Sequence, residues 1–150
     1  MILPTFDDLT TLAATIEMEA GGEPFQGKLA VGMVIVNRAE QWRQSLLDIL
    51  FKDRQFSAWN NQSPTRLRLD TIPPASWQED LAAAAGALFR RELGLADPTR
   101  GALFYLNVAV TKIGRGDGTL PEWCRSPSDP TKLDEAKVLA VIGRHTFLRG

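Results

Sequence analysis

Residues Gly27 to Arg38 constrain the fold more than any other segment. Leu29, Ala30, Val31, Met33, Val34, Ile35 and Val36 leave almost no polar face. A surface helix shows one apolar stripe, whereas a helix apolar nearly all round needs neighbours on every side. A strand is the competing reading for Val31 to Val36. The length of the segment and Pro24 ahead of it, where a missing N–H costs nothing, favour a helix. The apolar run is about half of the roughly 18 residues a membrane helix needs, so it predicts a central core helix and no membrane insertion.

The remaining chain must enclose that helix. Its 150 residues suit one domain, and a chain of this length hides roughly 68–70% of its unfolded surface without staples. Thr5 to Asp8 reads as a helix start, with acidic residues complementing the dipole. Leu9, Leu12, Ala13 and Ile16 follow at helical spacing, and Gly21-Gly22 predicts the stop. Ser45 to Phe51 reads as a short helix, and Gln55 to Pro74 as a long polar loop. Ser76 is the expected cap of a third long helix. Its expected face is Trp77, Leu81, Ala84, Ala85, Leu88 and Glu92, and its expected end is Gly94. Asp97 to Gly101 reads as a turn, Ala102 to Asn107 as a strand, and Gly114 to Pro130 as irregular. Lys137 to Ile142 and His145 to Arg149 predict a hairpin about Gly143-Arg144. The expected class is α+β, mainly helical, with a small antiparallel sheet.

Charge and composition narrow the function. Lys plus Arg number 17 against 18 Asp plus Glu, for a net charge of -1, which disfavours a general electrostatic grip on nucleic acid. One cysteine, Cys124, excludes an internal disulfide and a cysteine-based zinc cluster, and one histidine, His145, argues against a histidine-rich metal site. The expectation is a chain with no metal and no cofactor. The first residues carry no basic n-region, so no secretory signal peptide is predicted.

The densest chemical constellation is Glu17-Met18-Glu19-Ala20-Gly21-Gly22-Glu23, at a helix end. At about 100° per residue, Glu19 falls about 20° from Leu12 and about 60° from Ile16, on one edge of the buried stripe. Glu17 falls on the other edge, nearer Ala13, and periodicity barely separates the two. The negative end of the helix dipole and partial burial both raise a carboxyl pKa there, as a general acid at neutral pH requires. The plain alternative is a solvated acidic helix end. Phe56, Ser57 and Trp59, with Asn60 and Asn61, offer aromatic faces and polar edges suited to sugars, or else a loop pinned by its aromatics. Tyr105 and Asn107 sit on a predicted strand, as ligand contacts or ordinary edge residues. His145 reads as a base, an orienting group or a structural histidine. Trp123 is a candidate for stacking on a ligand, whereas Cys124 reads as buried or incidental.

These pieces together resemble one family. Ile16-Glu17-Met18-Glu19-Ala20-Gly21-Gly22-Glu23-Pro24-Phe25-Gln26-Gly27, followed by Ala30-Val31 and Val34-Ile35-Val36-Asn37-Arg38, is similar to the signature of SleB-type cell wall hydrolases. These are the spore-cortex-lytic enzymes and their phage and bacterial relatives. Gln55-Phe56-Ser57, Asp97-Pro98-Thr99, Gly101-Ala102-Leu103-Phe104-Tyr105 with Asn107, and Ile142-Gly143-Arg144-His145-Thr146-Phe147 follow in the family's order. Two positions depart: Gly21 stands where the motif has arginine, and Val108 where it has proline.

The resemblance implies a single catalytic domain over residues 1–150 with a lysozyme-like fold. It implies cleavage of peptidoglycan glycan strands between N-acetylmuramic acid and N-acetylglucosamine. The motif's catalytic glutamate lands on Glu19, and Glu23, Phe56, Ser57, Tyr105, Asn107 and His145 become site walls. A lytic transglycosylase manages with one carboxylate, whereas glycosidases use two. Asp53, Asp70, Asp117 and Glu122 offer no distinguished second partner, so the transglycosylase reading is preferred over a hydrolytic muramidase. A non-catalytic wall-binding or virion structural module is the rival of another class. The expected location is cytoplasmic until release, through a holin as for a phage endolysin, or else within a virion.

Overall fold

The apolar segment is helix α2 (Phe25–Trp42), and every residue from Gly27 to Arg38 in it is buried. The computed structural model describes residues 3–52 and 71–150. Around α2 lie α1 (Phe6–Ala20), α3 (Leu46–Phe51) and α4 (Pro74–Leu88). Strand β1 (Phe104–Leu106), helix α5 (Val108–Arg115) and the hairpin β2 (Val138–Ile142) and β3 (His145–Leu148) complete the described elements. The architecture is the expected α+β one, mainly helical with a three-stranded antiparallel sheet in the order β1-β3-β2. Among the described residues no helix is long and apolar enough to cross a membrane.

Helix α1 starts where its sequence says. The Thr5 hydroxyl accepts from the Asp8 N–H at 3.1 Å, and the Thr5 N–H donates to the Asp8 carboxylate at 2.8 Å, a reciprocal cap. Its end differs in mechanism from the expectation. Gly21 has an ordinary right-handed φ of -58°, so no left-handed glycine cap stops the helix. Pro24 supplies the reason, since the residue before a proline is driven out of helical conformation.

Helix α4 also departs from the sequence reading. Pro73 and Pro74 begin it, and Ser76 lies inside its first turn rather than capping it. Proline fits a position where no N–H is needed. The buried face is Asp80, Ala83, Ala84, Gly86 and Ala87, and the helix ends at Leu88, before Gly94. Small residues win that face because α4 lies very close to α2: a Cβ on Gly32 would sit 3.1 Å from both the Ala87 Cβ and the Ile16 Cδ1. Trp77, Leu81 and Leu88 pack at its edge, half-buried.

The hairpin is as expected, with Ile142 opposite His145 and Gly143 at φ +58° in the turn. The strand expected over Ala102 to Asn107 narrows to Phe104–Leu106. Helix α5 is an addition, since the sequence predicts no helix between the strand ending at Asn107 and the irregular stretch from Gly114. The Asn107 side chain accepts from the Val110 N–H at 3.1 Å, and Gly116, at φ +78°, ends the helix. Its Val108, Val110, Thr111 and Ile113 are β-branched and disguise it.

The C-terminal end of α2 is tied to β1 through Asp97. Its carboxylate accepts from the Asn37 amide at 2.9 Å, the Thr99 N–H at 2.8 Å, the Thr99 hydroxyl at 2.7 Å and the Gly101 N–H at 3.0 Å. Burial opposes its charge, but these hydrogen bonds outweigh burial and hold the pKa below its ordinary value. A lowered carboxylate pKa stabilises the fold above the unfolded-state pKa and loses that contribution as pH falls through the folded value. Asp97→Asn is expected to cost about 2–3 kcal/mol at pH 7, with the gap from wild type closing in acid. Urea unfolding across pH checks this, and a gap that stays constant into acid contradicts it.

Candidate functional site

A groove of about 840 Å³ opens across the C-terminal end of α1. The start of α4 (Ile72, Pro73, Ser76) forms one bank. The other comes from β1, α5 and the hairpin, through Tyr105, Asn107, Val110, Arg144 and His145. Glu17, Glu19 and Glu23 all line it, and their surroundings separate them where periodicity does not.

Glu23 is a structural anchor for the hairpin. It is 8% exposed and accepts from the Arg144 N–H at 3.1 Å, with the Arg144 Nε at 3.5 Å. The His145 Nδ1 lies 3.3 Å from the same oxygen but makes no hydrogen bond of good geometry. Burial, and behind it the Arg144 charge, lower the His145 pKa against the opposing pull of Glu23, which keeps the imidazole neutral at pH 7. Gly143 is required beside this carboxylate, because a Cβ there would collide with Glu23.

Glu17 is also committed, lying 3.6 Å from the ammonium of Lys28, which in turn meets Asp80 at 2.9 Å. Gly21 follows from this arrangement. A Cβ on it would come within 2.6 Å of the Glu17 carbonyl and 3.1 Å of its carboxylate, so an arginine does not fit there without a shift.

Glu19 is different. Burial raises its pKa, and the neighbouring Tyr105 hydroxyl together with the Arg38 charge only partly offsets that rise. Burial first, and the Glu19 charge second, push the Tyr105 phenol well above its ordinary value, so it remains a donor. The Tyr105 ring stands edge-on to His145 at 5.3 Å and packs on Phe147 at 6.0 Å. Arg38 is 6% exposed, with its Nε donating to the Leu103 carbonyl at 2.6 Å and its guanidinium 5.3 Å from the Phe104 ring centre.

The structure therefore gathers Glu19, Glu23, Tyr105, Asn107 and His145 at one groove. Asn107 spends its carbonyl oxygen on capping α5 and keeps its amide nitrogen toward other partners. Trp123 does not line this groove. Its ring lies 5.3 Å from Phe104, and Phe104 and Tyr105, adjacent on a strand, point to opposite faces. Trp123 thus packs behind the sheet, away from the groove. Phe56, Ser57, Trp59, Asp53 and Asp70 lie outside the described residues. Asp117 binds Thr119, and Glu122 pairs with Arg125 at 3.3 Å, neither at the groove. The sequence reading also omits Arg38 and Arg144 from the site. Both stand in the quoted motifs, and that position is the signal that identifies them. Cys124 is buried, and burial raises its thiol pKa. Among the described residues no group of three or more His, Cys, Asp or Glu is placed to hold a metal ion.

A helical domain with a small sheet holds a groove in which, among the described residues, Glu19 is the carboxylate with no ion pair at contact distance. The chain belongs to the cell wall hydrolase family, whose model matches residues 22–148. Glu19 lies just ahead of that stretch, so its assignment rests on the residue motif and the geometry. No curated protein sequence matches the chain. The fold is similar to the catalytic domain of the germination-specific lytic transglycosylase SleB from Bacillus anthracis, with a TM-score of 0.59, 22% identity and 97% of each chain covered. It is also similar to the catalytic domain of the Bacillus cereus SleB protein, with a TM-score of 0.60, 22% identity, and 98% of this chain and 95% of that one covered.

Because Tyr105 lowers the Glu19 pKa, Tyr105→Phe is expected to raise it. Carboxyl ¹³C NMR titration measures the change, and an unchanged or lower Glu19 value contradicts the assigned contact.

Proposed function

We propose that this chain cleaves peptidoglycan glycan strands between N-acetylmuramic acid and N-acetylglucosamine as a lytic transglycosylase, with Glu19 as its single acid and base. The observation that carries this reading is the division of labour among the groove's carboxylates. Glu23 is held by Arg144 and Glu17 by Lys28, while among the described residues no ion pair at contact distance holds Glu19, and burial biases it toward keeping its proton.

In the proposed reaction, protonated Glu19 gives its proton to the glycosidic oxygen as the bond from that oxygen to the muramic C1 breaks. The resulting carboxylate takes the proton of the muramic C6 hydroxyl, whose oxygen closes on C1. The product carries a 1,6-anhydro ring, and Glu19 returns to its protonated form without a second carboxylate. Tyr105 orients Glu19 throughout, and Arg38 favours the carboxylate present midway. The description of the similar Bacillus anthracis domain as a lytic transglycosylase supports this choice.

Glu19→Gln is expected to lower wall-clearing activity by about 10²–10⁴-fold with the fold retained. Turbidity loss of purified walls checks it, and equal clearing by both proteins, or none by either, counts against the catalytic reading. Masses of the released fragments decide the reaction type. Anhydro ends, one water lighter than reducing ends, are expected, and reducing ends alone would establish the muramidase instead. Cleavage should also fall as pH rises through the Glu19 pKa, because the acid must start protonated.

A further inference from the structure

Three helices meet at a buried cluster of charges beside the groove. Lys28 of α2 is 2% exposed, Asp80 of α4 is 0% exposed, and the Glu17 side chain at the end of α1 is 14% exposed. The ammonium lies 2.9 Å from Asp80 and 3.6 Å from Glu17. Both Asp80 oxygens and one Glu17 oxygen are otherwise buried without hydrogen bonds of good geometry. Glu79 of α4 is the other charged group acting on Lys28.

A buried ion cluster is a weak source of stability, since well-packed apolar residues often do as well. Its placement says more. Glu17 and Glu19 are two residues apart on one helical turn, so their side chains diverge by about 200°. Glu17 points to α2 and α4 while Glu19 points to Tyr105. Fixing the first fixes the rotation of the turn that aims the second.

We propose that Glu17, Lys28 and Asp80 form a positioning unit for Glu19, in which one cation bridging two carboxylates holds the last turn of α1 so that Glu19 meets Tyr105. The functional part of this proposal rests on Glu19 being the catalytic acid. One ammonium facing two carboxylates reaches neutrality only when the carboxylates retain one proton. Burial, then the neighbouring Glu17, push Asp80 up to about 7 against the pull of Lys28, so it is the group that gains and loses that proton. Burial works against the Lys28 charge as well, but its two carboxylate partners outweigh burial and hold it above its ordinary value. The unit is therefore complete below neutrality and acquires an excess negative charge above it.

The sequence provides two reporters, since Tyr105 is the single tyrosine and His145 the single histidine. Ring-¹³C-labelled tyrosine gives one signal that senses the contact with Glu19, and Glu19→Gln defines its value when the carboxylate is gone. Lys28→Met is expected to move the Tyr105 signal toward that value while the His145 signal stays in place. On soluble glycan fragments kcat should fall by up to about 10²-fold, the scale of an ångström-sized misplacement, with KM unchanged. In wild type the Tyr105 signal should show a step near pH 7 that Asp80→Asn removes and Glu19→Gln leaves. A folded Lys28→Met protein with an unmoved Tyr105 signal and full kcat overturns the proposal. If Lys28→Met does not fold, Asp80→Asn decides alone, and a persisting step near pH 7 overturns it. Failure of the catalytic reading is separate and shows as full activity in Glu19→Gln.

Discussion

Enclosing α2 on all sides is the constraint from which the rest follows. Its apolar middle needs α1, α4, α3 and the sheet around it, but its burial also carries polar groups inside. Lys28, Asn37 and Arg38 are all below 9% exposure, and an unpaired buried polar group is costly. Each is satisfied by a different neighbour. Lys28 takes Asp80 and Glu17, Asn37 takes Asp97 and the Ala102 carbonyl, and Arg38 takes the Leu103 carbonyl. Those partners are the end of α1, the face of α4 and the approach to β1. The polar satisfaction of one buried helix thus fixes the parts from which the groove is built.

The same logic sorts the groove's carboxylates. Cations bind Glu17 and Glu23 and turn them to structural use. Glu19 feels Arg38 more distantly, and burial dominates. Tyr105, itself packed between His145 and Phe147, links that carboxylate to the sheet. A groove built this way separates the rigid frame from Glu19, as the proposed single-acid chemistry requires.

Much of this was legible in the chain because its signals are local. The apolar run marked α2, the Thr5–Asp8 pair marked the start of α1, and Gly143-Arg144 marked the hairpin. Glu19 emerged from a helix-end position and a motif, although its spacing alone did not separate it from Glu17. What escaped depends on partners distant in sequence or on disguised patterns. The β-branched residues of α5 concealed a helix held by Asn107 and Gly116. Trp123 reads in sequence as a ligand platform, whereas its ring packs against Phe104. Lys28 and Asp80 lie far apart in the chain, and only packing of α2 against α4 makes them a pair. The available clue was a charge at the margin of each apolar pattern, Lys28 beside Leu29 and Asp80 among the alanines of α4.

The central claim is that Glu19, and neither of the other groove carboxylates, addresses the scissile bond. A crystal structure of Glu19→Gln bound to a muramic acid–glucosamine glycan fragment tests it most directly. The account predicts a fragment lying along the groove, with a glycosidic oxygen about 2.6–3.2 Å from the residue-19 side chain and Glu23 still bound to Arg144. A glycosidic oxygen placed instead at Glu17 or Glu23, or a glycan seated outside the groove, would contradict it.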